Sequence, residues 1–224
     1  MRIACLHTAE SNIAVFEGAA HELGLERDTL VHTVREDLLA AAEHVGGADE
    51  RIVRETREVL LALCHEADAV VLTCSTLGSA ADGLDGRTAV PVLRADEALA
   101  EEAVRRGGKV VVLCAVQTTV APTTCLFLEA ARKTGAEIEV RVVAHAWNRF
   151  RAGDLPGYLV TIAQAADVAY DDGASVVALA QASMAAAAGL VKACHKRPLG
   201  SPATVLSAAV RSLKAARAQR ETRE

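Results

Sequence analysis

Ala69-Val70-Val71-Leu72-Thr73-Cys74-Ser75-Thr76-Leu77 is an apolar run that ends in a cysteine set among small hydroxyls. A second stretch, Val176-Val177-Ala178-Leu179-Ala180-Gln181-Ala182-Ser183-Met184, has the same form 107 residues later. Short runs of Val, Leu and Ala without polar alternation read as strands buried on both faces of a parallel sheet. The small-residue segment after each reads as the corner where a strand hands over to a helix.

The offset of 107 recurs along the chain. It relates Arg2-Ile3-Ala4-Cys5-Leu6 to Lys109-Val110-Val111-Val112-Leu113, Gly46 to Gly153, and Pro91 to Pro198. A fixed internal period of this length marks a duplicated unit. Each half reads strand (2–7; 109–114), helix (12–24; 120–134), strand (29–34; 137–143), long helix (49–66; 155–171) and strand (69–73; 175–180). A short helix and connection then lead to a last helix (95–106; 202–219). Alternation of strand and helix predicts an α/β fold of two pseudo-symmetric lobes, each a mainly parallel sheet flanked by helices. The lobes are expected at 1–107 and 108–224, with room for exchange of the helix 203–219 into the first, and with an active-site cleft between them.

Composition narrows the function classes. The chain has 224 residues, half of them hydrophobic, and a net charge of −5. There is no Lys/Arg stripe of the kind nucleic-acid binding requires. No run of 18 apolar residues occurs, so no membrane span is expected. The first residues read as a strand rather than a leader, which predicts a cytoplasmic protein. Six cysteines without a CxxC pair suit reduced, mostly buried thiols. Seven histidines lack HExxH or other close ligand spacing, so no metal is predicted. Neither GxGxxG nor GxxxxGK[ST] is present, so no nucleotide cofactor is expected. Ala-rich helices at 184–194 and 203–219 could pack inside a lobe or form a homo-oligomer.

Ligands of open parallel sheets bind beyond the carboxyl ends of the strands. Four turns qualify: Thr8 to Asn12, Thr73 to Thr76, Ala115 to Thr119, and Gln181 to Ser183. Their hydroxyls, amides and backbone N–H groups suit a small carboxylate or phosphate. The candidates are Thr8, Ser11, Asn12, Thr73, Ser75, Thr76, Thr118, Thr119 and Ser183. Cys74, at a strand end before a helix, reads either as an activated thiolate able to act as base or nucleophile, or as a small buried cysteine. Cys5 reads as core. Cys64 and Cys125 read as helix positions amid apolar neighbours, Cys114 as a structural strand end, and Cys194 as the end of a helix beside His195. His7 and His145 end strands and could reach a cleft. Trp147 and Tyr158 could shape a pocket, and Arg149 and Arg151 read either as partners for a second carboxylate or as surface loop.

These features resemble the aspartate/glutamate racemase superfamily, which includes amino-acid and hydantoin racemases, maleate isomerase and arylmalonate decarboxylase. The most specific match is Val70-Val71-Leu72-Thr73-Cys74-Ser75-Thr76, which is similar to the family's first catalytic cysteine motif; Ser11-Asn12 and Thr118-Thr119 look like its substrate-binding turns. The resemblance implies a cofactor-independent enzyme that moves an α-proton of a small carboxylate between two cysteines, one from each half. The second motif departs from the pattern, because Gln181 stands where the family has its second cysteine. Glutamine exchanges hydrogen bonds but not protons, and Cys194 is a poor replacement. Three readings follow: a racemase whose second base is another residue such as His7 or His145; an isomerase, decarboxylase or lyase that uses Cys74 alone, with Gln181 holding a carboxylate or an enolate-like charge; or a small-anion binding protein without catalysis.

Overall fold

The computed structural model describes residues 1–84, 86–193 and 196–221, with the side chains of residues 220 and 221 left aside. Cys194 and His195 lie outside the described residues. Two compact units account for the rest: Met1–Ala95 with the chain from Val205 onward, and Asp96–Thr204.

The first unit carries β1 (Ile3–His7), α1 (Ser11–Glu22), β2 (Leu30–Val34), α2 (Glu36–Val45), α3 (Glu50–Leu63), β3 (Ala69–Leu72), a 3-10 helix (Ser75–Ala81) and β4 (Val92–Arg94). Its four strands are parallel in the order β2-β1-β3-β4. α4 (Ala95–Arg106) leads into the second unit, which has β5 (Lys109–Cys114), a 3-10 turn (Gln117–Thr119), α5 (Val120–Ala131), β6 (Glu137–Val142), α6 (Ala146–Arg151) and α7 (Leu155–Asp171). It continues through β7 (Val176–Leu179), a 3-10 helix (Ala182–Leu190) and β8 (Leu199–Gly200) to α8 (Ser201–Glu221). The second sheet repeats the first as β6-β5-β7-β8, again parallel.

The duplication extends to register. Ile3 pairs with Ala69 and Val110 with Val176, so both members of the central pairing are displaced by 107 residues. The outer pairings slip by one residue: Ile3 meets Leu30, whereas Val110 meets Ile138. β1, β3 and β7 are buried along their whole length, which explains their apolar runs. Ala4, Leu6, Val70 and Leu72 pack on Leu38, Ala42, Ile52 and Leu60 of α2 and α3. In the second unit Val111, Leu113, Val177 and Leu179 pack on Tyr158, Ile162 and Ala166 of α7, and Val110, Val112 and Val176 on Phe127, Leu99 and Ala103.

Two features differ from the sequence expectation. The short helices α2 and α6 stand in segments where the sequence reading places no element; α2 buries only Leu38 and Ala42, and α6 only Ala146. Gly46 and Gly153, which announce the long helices in sequence, in fact close these short ones at φ +80 and +75. The long helices are opened instead by Asp49 and Asp154, whose carboxylates accept from Ile52 N–H (2.8 Å) and Gly157 N–H (2.9 Å). Each sheet also gains a fourth strand, β4 and β8, of only three and two residues after Pro91 and Pro198. Such brief edge strands leave no periodic signal. No helix among the described residues is long and apolar enough to cross a membrane.

Candidate functional site

In each sheet the chain turns one way after the central strand and the other way after its neighbour, so a crevice opens between their carboxyl ends. In the first unit that point lies between β1 and β3, and the turns Thr8–Asn12 and Thr73–Thr76 lead away from it. Cys74 occupies the corner itself. It is extended (φ −104, ψ 115), half-buried, and immediately precedes the 3-10 helix Ser75–Ala81. Ser75 and Thr76 are exposed beside it, Thr8 is buried, Ser11 exposed and Asn12 half-buried.

The floor of this corner is tied down. Thr73 N–H donates to the Leu6 carbonyl (3.1 Å), and the Thr73 hydroxyl donates to the same oxygen (3.0 Å). His7 Nδ1 lies 3.0 Å from that hydroxyl and His7 Nε2 2.9 Å from His32 Nδ1. Burial, and then His32, push the His7 imidazole down to about 4, so the ring is neutral at physiological pH. The far end of the 3-10 helix is held by Arg57, which donates to the carbonyls of Ala80 (3.0 Å), Asp82 (3.2 Å) and Ser79 (3.4 Å). Arg94 at the end of β4 pairs with Asp82 (3.2 Å) and lies so close over Gly78 that a Cβ there would overlap its guanidinium. Arg57, Arg94 and Gly78 carry no motif, which is why sequence reading passes over them.

The corresponding crevice of the second unit is built differently. The Gln181 side-chain oxygen accepts from the buried Ala115 N–H (2.8 Å), and its nitrogen donates to Thr119 Oγ1 (3.1 Å). Thr119 passes its own proton to the Val116 carbonyl (2.7 Å). The amide therefore clips the turn after β7 to the turn after β5. Cys114 lies beneath; burial pushes its thiol up, against hydrogen bonds from Thr119, Thr123 and Gln181. Ser183 Oγ sits 2.9 Å from the hydroxyl of buried Tyr158, and Thr118 is exposed.

The other candidates lie outside these four turns. His145 is exposed at the left-handed start of α6 (φ 62). Arg149 is paired with the capping carboxylate of Asp154 (2.6 Å), and Trp147 stacks on Phe150 (5.4 Å) at the surface. Cys125 is exposed on α5 rather than packed among apolar neighbours, because it falls on the outer side of that helix, while Cys5 and Cys114 are buried and Cys64 is half-buried at the end of α3.

Residues 36–210 match the Asp/Glu/Hydantoin racemase family. The chain belongs to that family. It is an enzyme of the Asp/Glu racemase superfamily, and its fold agrees. An aspartate racemase homologue from Pyrococcus horikoshii superimposes with a TM-score of 0.69 at 15% identity, covering 95% of this chain and 99% of that one. Picrophilus torridus aspartate racemase gives 0.64 at 13% identity (96% and 95% covered), and allantoin racemase from Pseudomonas fluorescens 0.60 at 16% (96% and 92%). No curated protein matches the sequence. Within this racemase-family chain the first crevice offers a thiol at its corner and the second an amide.

Proposed function

We propose that this enzyme is a cofactor-independent, racemase-like isomerase of a small carboxylate, an amino acid or related acid, in which the Cys74 thiolate takes or returns the α-proton. The observation that carries the reading is the position of Cys74: half-exposed at the switch point of its sheet, on a corner that Thr73 ties to the Leu6 carbonyl and to His7. A fixed base is what proton abstraction from carbon needs. The substrate carboxylate would take hydrogen bonds from Ser75 and Thr76, with Ser11, Asn12 and Thr8 on the neighbouring turn; Thr118, Thr119 and Ser183 are the corresponding groups of the second unit.

Gln181 favours a second reading. Its amide is engaged with the turn after β5 (2.8 and 3.1 Å) and has no proton to exchange. A single-thiol reaction, namely decarboxylation, elimination or cis–trans isomerisation of a small dicarboxylate, therefore stands as the alternative.

The test is hydrogen exchange at the α-carbon in deuterated water across a panel of small amino and dicarboxylic acids, with wild type, Cys74→Ala and Cys74→Ser. Exchange with inversion by wild type, reduced about 10²–10⁴-fold in both variants, is expected of general base catalysis. Turnover without inversion moves the assignment to the single-thiol chemistry. Equal rates in all three proteins would remove Cys74 from the mechanism.

A further inference from the structure

The face of the first sheet covered by α1 holds three side chains with metal-binding atoms. Cys5 and His7 are two apart on β1 and so share a face. His32, on the edge strand β2, stands beside Cys5 in parallel register. One ligating atom from each lies within 4.8 Å of the other two. The edges of a zinc tetrahedron are roughly 3.3–3.8 Å, given Zn–N and Zn–S bonds of about 2.0 and 2.3 Å.

The hydrogen-bond network sets out the donor atoms. The Glu17 carboxylate can only accept, so His32 Nε2–H donates to it (2.9 Å) and Nδ1 is the ring nitrogen left for a metal. His7 Nε2 faces that Nδ1 at 2.9 Å, and His7 Nδ1 lies 3.0 Å from the Thr73 hydroxyl. When that hydroxyl donates to the Leu6 carbonyl (3.0 Å) it accepts from His7 Nδ1–H, and the His7 Nε2 lone pair is then turned towards His32 Nδ1, where one metal ion can take both. Two imidazole lone pairs next to a thiol form the N₂S donor set of a borderline-soft divalent ion rather than of magnesium or calcium. Both outer N–H groups already rest on a hydroxyl and a carboxylate, as those of metal-bound histidines commonly do.

We propose that Cys5, His7 and His32 form a binding site for a divalent cation of the zinc class, beneath α1 and reached past the partly exposed His32. Binding forms one S–metal and two N–metal bonds, breaks the Cys5 S–H bond and releases that proton to solvent, while the ring hydrogens rest on His7 Nδ1 and His32 Nε2. Sequence spacing conceals the site, because a C-x-H pair on a strand meets its third ligand 25 residues later through sheet pairing.

The full chain, freed of metal with a chelator, is titrated with Co²⁺ alone. One equivalent should bind, with thiolate-to-cobalt absorption in the near ultraviolet and visible bands of a tetrahedral ion, and Zn²⁺ should displace it. The Cys5→Ser variant should lose the thiolate band. His32→Gln, at the partly exposed edge, reads the same site should the core variant fail to fold. Glu17→Gln, on the exposed side of α1, should weaken binding about 10–100-fold, and Cys74→Ala should leave the spectrum unchanged. No stoichiometric Co²⁺ spectrum, or one indifferent to His32→Gln and Glu17→Gln, overturns the site.

Discussion

At the residue scale, the equivalent positions Cys74 and Gln181 show how one duplicated corner diverged. Gln181 satisfies the buried Ala115 N–H and hands a hydrogen to Thr119. Gln181→Ala should therefore destabilise the protein by about 1–3 kcal/mol, the cost of an orphaned buried donor, read as a lower denaturant midpoint. Gln181→Glu should recover only part of this, since it still accepts from Ala115 but faces an oxygen at Thr119 that already donates to Val116. A midpoint unmoved by either change would mean the clip is not formed. The opposite sign is expected at Thr56, whose buried hydroxyl has no hydrogen-bond partner among the described residues. Thr56→Val keeps the shape and removes the unsatisfied group, so it should be neutral or stabilising by about 1 kcal/mol; a clear loss of stability in the same assay would show that the hydroxyl is bonded in solution.

At the element scale, the sheet of the second unit is joined by a charge network. Glu139 on β6 pairs with Lys109 on β5 (2.9 Å) and with Arg141 (2.6 Å), which also reaches Asp172 after α7 (2.7 Å). The Arg141 and Lys109 hydrogen bonds hold the Glu139 carboxyl at about 2, well below its ordinary 4.5. Because the folded value is depressed, the stabilisation is present above the ordinary carboxylate range and is lost as the pH falls from about 4.5 towards 2. Wild type should lose stability more steeply than Glu139→Gln across that window in urea melts, and parallel slopes would contradict the assignment. The group is exposed, so the difference should shrink in high salt. The elements themselves were legible to different degrees. β1, β3, β5 and β7 show as apolar runs because both faces are buried, whereas α2, α6, β4 and β8 are short and bury few residues.

At the scale of the whole molecule, the first unit is discontinuous: its core residues come from Met1–Ala95 and from the chain beyond Val205, while the second is the single stretch Asp96–Thr204. Val205, Leu206 and Ala209 of α8 are fully buried. A chain ending at Thr204 should thus lose the cooperative unfolding of the first unit, read by calorimetry or hydrogen exchange on residues 1–95, with smaller changes in residues 96–204. Uniform protection in the truncated protein would show that α8 is dispensable to that unit.

The sequence by itself determined the duplicated α/β plan, the 107-residue offset between its halves and the placing of Cys74 at a strand's carboxyl end. Each is written locally, in runs of buried residues and in a period of 107 that no folding is needed to see. Only the tertiary structure decided what the polar atoms touch: His7 on Thr73 and His32, Gln181 on Ala115, and Arg57 on the carbonyls of the 3-10 helix. These partners lie 22 to 66 residues apart. The direction and strength of a hydrogen bond depend on which strands lie side by side, and no local pattern encodes that.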